Sequence, residues 1–275
     1  MSRRKRLQSY LEYLLILSRY RKQLDPIESY VGFIGYPRSG HSLIGSILDA
    51  HPHVIISHEL DVLGKLQRNW TRNRVFCEIL KNSFSHAKKG RSQTGYSYDV
   101  PNQYQGCFET LKVIGDNKGG KSTIRLQQDP NLIESLEVVI NKPVKLIHII
   151  RNPFDNISSI YRRDGKRLGL NLEGCTNHYF KLCKTISELK AKTESNRIFD
   201  MKSEDFIQDP KGMLRELCSF LELSAPEDYL SDCAQIVFPS PNQSRKRYEW
   251  NNDLIERVDL EISRFSFLEG YSYNS

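Results

Sequence analysis

Along most of this chain, short apolar runs alternate with segments whose apolar residues recur at helical spacing. "YVGFIGY" (30–36), "VIIS" (54–57), "TLKVIGDNKGG" (110–120, a strand running into a glycine-rich turn), "VKLIHIIR" (144–151) and the stretch at 196–206, "NRIFDMKSEDF", carry the strand signal. Such runs suit buried parallel strands. Between them, "SLIGSILDAH" places Leu43, Ile44, Ile47 and Leu48 on one helical face, with Pro52 closing the helix. "DPKGMLRELCSFLEL" groups Met213, Leu214, Leu217, Cys218 and Leu221 in the same way. In "RNPFDNISSIYRR", Asn152 is a helix cap, Pro153 the first helical residue and Asp155 a first-turn acid. This alternation predicts an α/β fold of three layers, a central parallel sheet flanked by helices.

Two regions depart from the alternation. Residues 1–28 predict a basic helix in which Leu11, Leu14, Leu15 and Ser18 share the face packed on the domain. A membrane-surface role is the alternative. Residues 65–110 are polar, aromatic and irregular apart from a helical stretch at "RVFCEILKNSF". They read as an insertion over the sheet and the active site, and a place for acceptor contacts. Nothing else breaks residues 1–275, which predict a single domain with no repeat and no long linker.

The net charge of +7 and pI near 9.0 point to an anionic partner, without choosing among nucleotide, nucleic acid, sulfated glycan and membrane. "LEYLLIL" is too short to span a bilayer, and no small-residue cleavage site follows it, so the expected location is cytoplasmic. The six cysteines contain no C-x-x-C pair, and no metal site is expected. Of three glycosylation sequons, at Asn69, Asn156 and Asn242, two fall in segments read as ligand-binding, where a glycan would block the site.

The chemistry starts at "FIGYPRSGHSLIGSILDAHP" (33–52). Gly35, Gly40 and Ser42 keep the spacing of G-x-x-x-x-G-K-[S/T], with His41 in place of the lysine that reaches β/γ-phosphates. A glycine-rich turn between strand and helix offers backbone N–H groups and the positive end of a helix dipole to an anion. Arg38 to Leu43 are the residues placed to donate. Arg151 stands at the carboxyl end of another strand, and Ser159 follows eight residues later. That is the sheet edge at which open α/β folds bind ligands.

These segments resemble sulfotransferases that use 3′-phosphoadenosine 5′-phosphosulfate (PAPS). "YPRSGHSLIGSILDAHP" is similar to their 5′-phosphosulfate loop and "RNPFDNISSIYRR" to their 3′-phosphate element. The likeness is nearest to the tyrosylprotein and carbohydrate branches, and it covers residues 30–270 in patches. It implies that Pro37, Arg38, Ser39, Gly40, His41, Ser42 and Leu43 bind the 5′ side of the cofactor, and Arg151, Ser159 and Arg163 the 3′ side. Ser244 and Arg245 of "SPNQSRKRYEW" are implied as further contacts in a segment that folds over the nucleotide. Glu59 matches the general base and Lys118 of "GDNKGG" the lysine near the transferred group. Arg38 attends the leaving phosphosulfate, and His58 is the rival base. His41 stands where a hydroxyl residue is usual, so its backbone N–H or a protonated imidazole would serve there.

The implied reaction is in-line sulfuryl transfer to a hydroxyl, releasing 3′,5′-adenosine bisphosphate (PAP). The acceptor is open among carbohydrate, small alcohol, phenol and peptide tyrosine, with carbohydrate placed first and no nucleic-acid partner expected. Trp70, Phe76, Tyr96, Tyr98, Tyr104 and Phe108 are the aromatics that would stack on it. Two other readings remain. A P-loop kinase or NTPase needs the missing lysine and a Mg²⁺-holding acid ending a second strand, and no apolar run reads as ending in such an Asp. A non-catalytic basic module binding nucleotide or polyanion leaves Arg151 and Ser159 unexplained.

Overall fold

The computed structural model describes residues 3–66, 69–93 and 96–275. Helix α1 (Arg3–Tyr20) ends in a 3₁₀ turn, after which β1 (Ser29–Gly35) leads through a tight loop into α2 (His41–Leu48). β2 (Val54–Ser57) is followed by α3 (Val62–Leu66), α4 (Arg72–Lys88) and a small antiparallel hairpin of β3 (Ser92–Gln93) and β4 (Tyr96–Ser97). Next come β5 (Val113–Asp116), α5 (Gly119–Gln128), α6 (Leu132–Ile140), β6 (Val144–Ile150) and α7 (Pro153–Ile160). A π-helical turn (Tyr161–Gly165) joins α7 to α8 (Lys166–Leu168). The chain closes with α9 (Leu172–Lys192), β7 (Ile198–Lys202), α10 (Ser203–Gln208), α11 (Pro210–Phe220), α12 (Glu227–Gln235) and α13 (Asn252–Ile262).

The central sheet runs β2-β5-β1-β6-β7, every pair parallel. Alternate residues of each strand face opposite layers. In β1, Tyr30 and Ile34 face the core shared with α4, α6, α7 and α9, while Val31 and Phe33 face the core shared with α2, α11 and α12. In β6, Leu146 and Ile150 point one way, Ile147 and Ile149 the other. Both faces being covered explains why the strands read as continuous apolar runs. The three-layer expectation holds.

The two departing regions behave differently from their sequence reading. The 65–110 segment stays out of the central sheet, yet α4 is a core element, burying Val75, Phe76, Cys77, Ile79 and Leu80. Thr71 caps it, accepting from the Arg74 N–H. In α1 the packed face is not Leu11, Leu14 and Leu15, which are exposed, but Tyr13, Ile16, Leu17 and Tyr20. Helix α4 decides this: Arg74 stacks on the Tyr13 ring at 4.8 Å and donates to Ser9 Oγ at 2.8 Å, and Lys81 pairs with Glu12. Met1, Ser2, Gln67, Arg68, Thr94 and Gly95 lie outside the described residues, as do the side chains of Arg3–Arg6 from the basic cluster.

Candidate active site

The loop between β1 and α2 turns on backbone conformations in the left-handed region at Arg38 (φ 70°) and Gly40 (φ 109°). For Gly40, the N-cap of α2, the absence of a Cβ removes the steric cost. The loop is tied down from beneath. The buried Asn156 amide donates to the Pro37 carbonyl at 2.7 Å, and Ser39 Oγ donates to the Tyr36 carbonyl at 3.0 Å. The N-terminus of α2 (His41, Ser42, Leu43) then opens on the carboxyl side of the sheet.

His41 corrects the expectation of a protonated imidazole facing the phosphate. Its ring is buried, with Nε2 3.2 Å from the Ile34 carbonyl and Nδ1 3.1 Å from Ser39 Oγ. A carbonyl only accepts, so Nε2 carries a proton toward Ile34, while the one Ser39 hydroxyl proton is shared between the Tyr36 carbonyl and Nδ1. Burial pushes the His41 pKa down to about 4. The room for it comes from α5: a Cβ on Gly119 would sit 1.9 Å from His41 Nε2, and one on Gly120 2.7 Å from Pro37 Cδ. Only the His41 backbone is left for an anion.

Three arginines gather around this loop, and they differ in how their charge is met. Arg38 Nε donates to Asp164 Oδ2 at 3.0 Å, and Arg167 joins the same carboxylate. Burial acts to raise the Asp164 pKa, but the bonds from Arg38 and Arg167 bring it below the usual carboxylate value. Arg245 is buried and pairs with Asp155 at 2.7 Å, while its N–H donates to the other oxygen of that carboxylate at 2.8 Å. Its side chain therefore clamps the C-terminal segment onto α7, which corrects its placement as a cofactor contact. Arg151 has no ion pair among the described residues. Its guanidinium donates to Ser159 Oγ (3.2 Å), Ser244 Oγ (3.3 Å), the Arg38 carbonyl (3.3 Å) and the Asn242 carbonyl, all neutral oxygens. Ser159 Oγ in turn donates to Ser244 Oγ at 2.9 Å. Burial holds the Arg151 pKa below the usual arginine value, against the opposing pull of the Asp155 and Glu204 carboxylates at longer range. Arg163 is exposed on the π-helical turn, and it is its neighbour Arg162 that comes within electrostatic reach of Arg151.

Across the loop, Glu59 and Lys118 face each other, Lys118 Nζ donating to Glu59 Oε2 at 2.6 Å. Burial acts to raise the Glu59 pKa, yet the Lys118 ammonium, with His58 and His41 near, holds it below the ordinary value. Glu59 itself has a left-handed backbone (φ 50°). It is held by three side chains that the sequence reading missed. Asn117 Oδ1 accepts from the Glu59 N–H at 2.8 Å, and Asn82 accepts from the His58 N–H at 2.6 Å and donates to the His58 carbonyl at 3.2 Å. Asp116 accepts from the Leu60 and Val62 N–H groups at 2.9 and 3.0 Å. The His58 ring stacks on His86 at 4.1 Å.

The expectation that no apolar strand ends in an Asp able to hold Mg²⁺ meets Asp116, the last residue of β5. It does not act as a cation-holding acid: both oxygens accept bonds, from Ser57 Oγ (3.0 Å) and the 60–62 backbone. Burial pushes its pKa up to about 6. Of the six aromatics assigned to the acceptor, Phe76 is in the core and Trp70 and Phe108 pack against it. Tyr104 bonds Glu109. Tyr96 and Tyr98 remain at the site, on the hairpin, with Tyr96 against Phe238 at 5.3 Å and the Tyr98 phenol within electrostatic reach of Arg38.

The fold recurs among solved structures. The sulfotransferase domain from the curacin biosynthetic pathway superposes with a TM-score of 0.54 at 15% identity, over 87% of this chain and 99% of that one. Sulfotransferase STF9 from Mycobacterium avium superposes with a TM-score of 0.51 at 14% identity, over 93% and 82%. At such identities the likeness is one of fold. No curated protein sequence matches the chain. The profile of the sulfotransferase family matches residues 31–227, from the third residue of β1 to the first of α12. The match spans the loop, Glu59, Lys118, Arg151 and Ser159, and the chain belongs to the sulfotransferase family.

Proposed function

We propose that the protein transfers a sulfuryl group from PAPS to a hydroxyl acceptor, a carbohydrate first among the candidate classes, and releases PAP. The observation that carries this reading is Arg151. A cation that is withdrawn from water and bonded only to neutral oxygens is costly unless an anion joins it. Arg38 and Arg245 are ion-paired with carboxylates, whereas Asp155 and Glu204 reach Arg151 only at longer range and its direct bonds go to neutral oxygens, Ser159 and Ser244 among them. That donor set fits a phosphate, and it stands beside the Pro37–Leu43 loop, whose Arg38 carbonyl Arg151 bonds at 3.3 Å.

In this reading Arg151, Ser159 and Ser244 hold the 3′-phosphate, and the Pro37–Leu43 backbone with the α2 dipole holds the 5′ side. The cofactor, when bound, supplies the sulfuryl group and a phosphate leaving group. Glu59 is ionised at neutral pH and accepts the acceptor's hydroxyl proton. As long as Lys118 pairs with it, Glu59 is a weak base. When Lys118 turns to the anionic oxygens of the donor, the burial that raises the Glu59 pKa is no longer offset, and its basicity increases. Arg38, released from Asp164, is placed to take charge on the departing phosphate. Tyr96, Tyr98 and Phe238 form an aromatic rim suited to stack on a sugar ring.

Calorimetric titration with PAP in the absence of metal tests the assignment. Wild type should bind, and Arg151→Ala should lose about 100-fold or more in affinity, as expected for charge-assisted bonds to phosphate. Equal affinity in the two proteins, or binding of ATP with Mg²⁺ in preference to PAP, would overturn it.

A further inference from the structure

Helix α1 is apolar on two faces, and only one of them has a partner. Tyr13, Ile16, Leu17 and Tyr20 turn inward to α4. Leu7, Tyr10, Leu11, Leu14 and Leu15 form a second stripe, at i, i+3, i+4, i+7 and i+8, and all five are exposed, Leu11 by 52% and Leu15 by 72%. A helix on a soluble domain ordinarily shows one apolar stripe and a polar opposite face. An exposed stripe of this size marks an interaction surface.

Charge decides what covers it. Arg3, Arg4, Lys5 and Arg6 make up the first turn of α1, and Arg19, Arg21 and Lys22 lie at and just past its end, the last three exposed. Glu12 is the one acid within α1, and Lys81 of α4 neutralises it. With both ends cationic, pairing two copies across this stripe, parallel or antiparallel, sets like charges against each other. An anionic lipid surface complements both ends and receives the leucines between them.

We propose that the outer face of α1 docks the protein on anionic phospholipid membranes, with the helix lying in the plane of the interface. Leu7, Leu11, Leu14 and Leu15 enter the acyl boundary, and the flanking arginines and lysines engage the headgroups. No helix among the described residues is long and apolar enough to cross a membrane, so the attachment is peripheral. This inference does not depend on the proposed reaction, because docking is read without donor or acceptor.

Co-sedimentation of the full chain with phosphatidylglycerol/phosphatidylcholine vesicles, against phosphatidylcholine alone, tests it. Wild type should pellet with the anionic vesicles only, and release as salt rises from about 0.1 to 0.5 M. Leu11→Glu/Leu15→Glu should weaken binding at least about tenfold with an unchanged circular dichroism spectrum and Tm. Leu260→Glu, on the exposed part of α13, should bind as wild type. Arg21→Glu/Lys22→Glu provides a second route to the same loss without touching the stripe. Pelleting unaffected by either double variant, or no pelleting by wild type, overturns the proposal. A concentration-dependent dimer that Leu11→Glu/Leu15→Glu abolishes, without vesicle binding, would assign the stripe to a second copy and overturn it equally.

Discussion

The two ends of the candidate site handle charge in opposite ways. At the Arg151 end, the arginine that follows β6 and two serines from α7 and the C-terminal segment converge, with no carboxylate in direct contact with the arginine. At the Glu59 end every charge is already paired: Lys118 with Glu59, and Arg38 with Asp164. The first end is preorganised, and a ligand's charge completes it. The second must exchange partners before it can act, so the cost of breaking its ion pairs falls on ligand binding. Affinity should therefore concentrate at Arg151, and catalytic effect at Glu59 and Lys118.

The sharpest way to break this contrast is Glu59→Gln. It should lower kcat by about 10²–10⁴-fold, the range of general-base catalysis, and leave PAP affinity near wild type. A parallel loss of PAP affinity would mean that both ends bind the nucleotide. The pH profile separates the rival bases. With Glu59 held below its ordinary value, the acidic limb of kcat/KM should lie below pH 4.5. A limb in the imidazole range would assign the proton to His58 instead.

Packing behind the loop comes next in size. His41 is neutral in the fold, with a pKa of about 4 against 6.5 outside it. The unfolded chain thus takes up this proton first as pH falls, and stability present above about 6.5 is lost toward pH 4, on the order of 3 kcal/mol from this group. Chemical denaturation of wild type and His41→Ser across that range should show the smaller pH slope in the variant. Gly119→Ala should destabilise the fold by about 1–3 kcal/mol through its clash with the same ring. His41→Ser/Gly119→Ala should recover most of that, and additive losses would show that the imidazole is not what Gly119 accommodates.

The smallest effect concerns Arg38. Asp164→Asn removes its counter-charge at a partly exposed pair, so PAP affinity should rise by about two- to fivefold. A fall would show that Asp164 aims Arg38 at the ligand rather than competing for it.

How much was readable along the chain depended on the range of the interaction. Asn152 caps α7 through Phe154, two residues away, and Arg151 meets Ser159 eight residues on. Such local features follow from spacing. The Arg38–Asp164 and Arg245–Asp155 pairs join residues 126 and 90 apart, and no spacing rule shows which arginine keeps a carboxylate. Arg245 was accordingly misplaced. The α1 stripe failed for a related reason: with leucines and tyrosines around most of the helix, periodicity offers two faces, and only Arg74 and Lys81 of α4 select one.

The sequence alone determined the strand–helix alternation, the glycine turn between β1 and α2 and the Arg151–Ser159 spacing. These rest on backbone periodicity and on donors a few residues apart. The tertiary structure alone decided that His41 turns inward against Gly119, that Asn82, Asn117 and Asp116 hold the Glu59 loop, and that Arg151 makes no ion pair among the described residues. Burial and ion pairing are properties of groups brought together from distant segments, and they exist only once the sheet has assembled them.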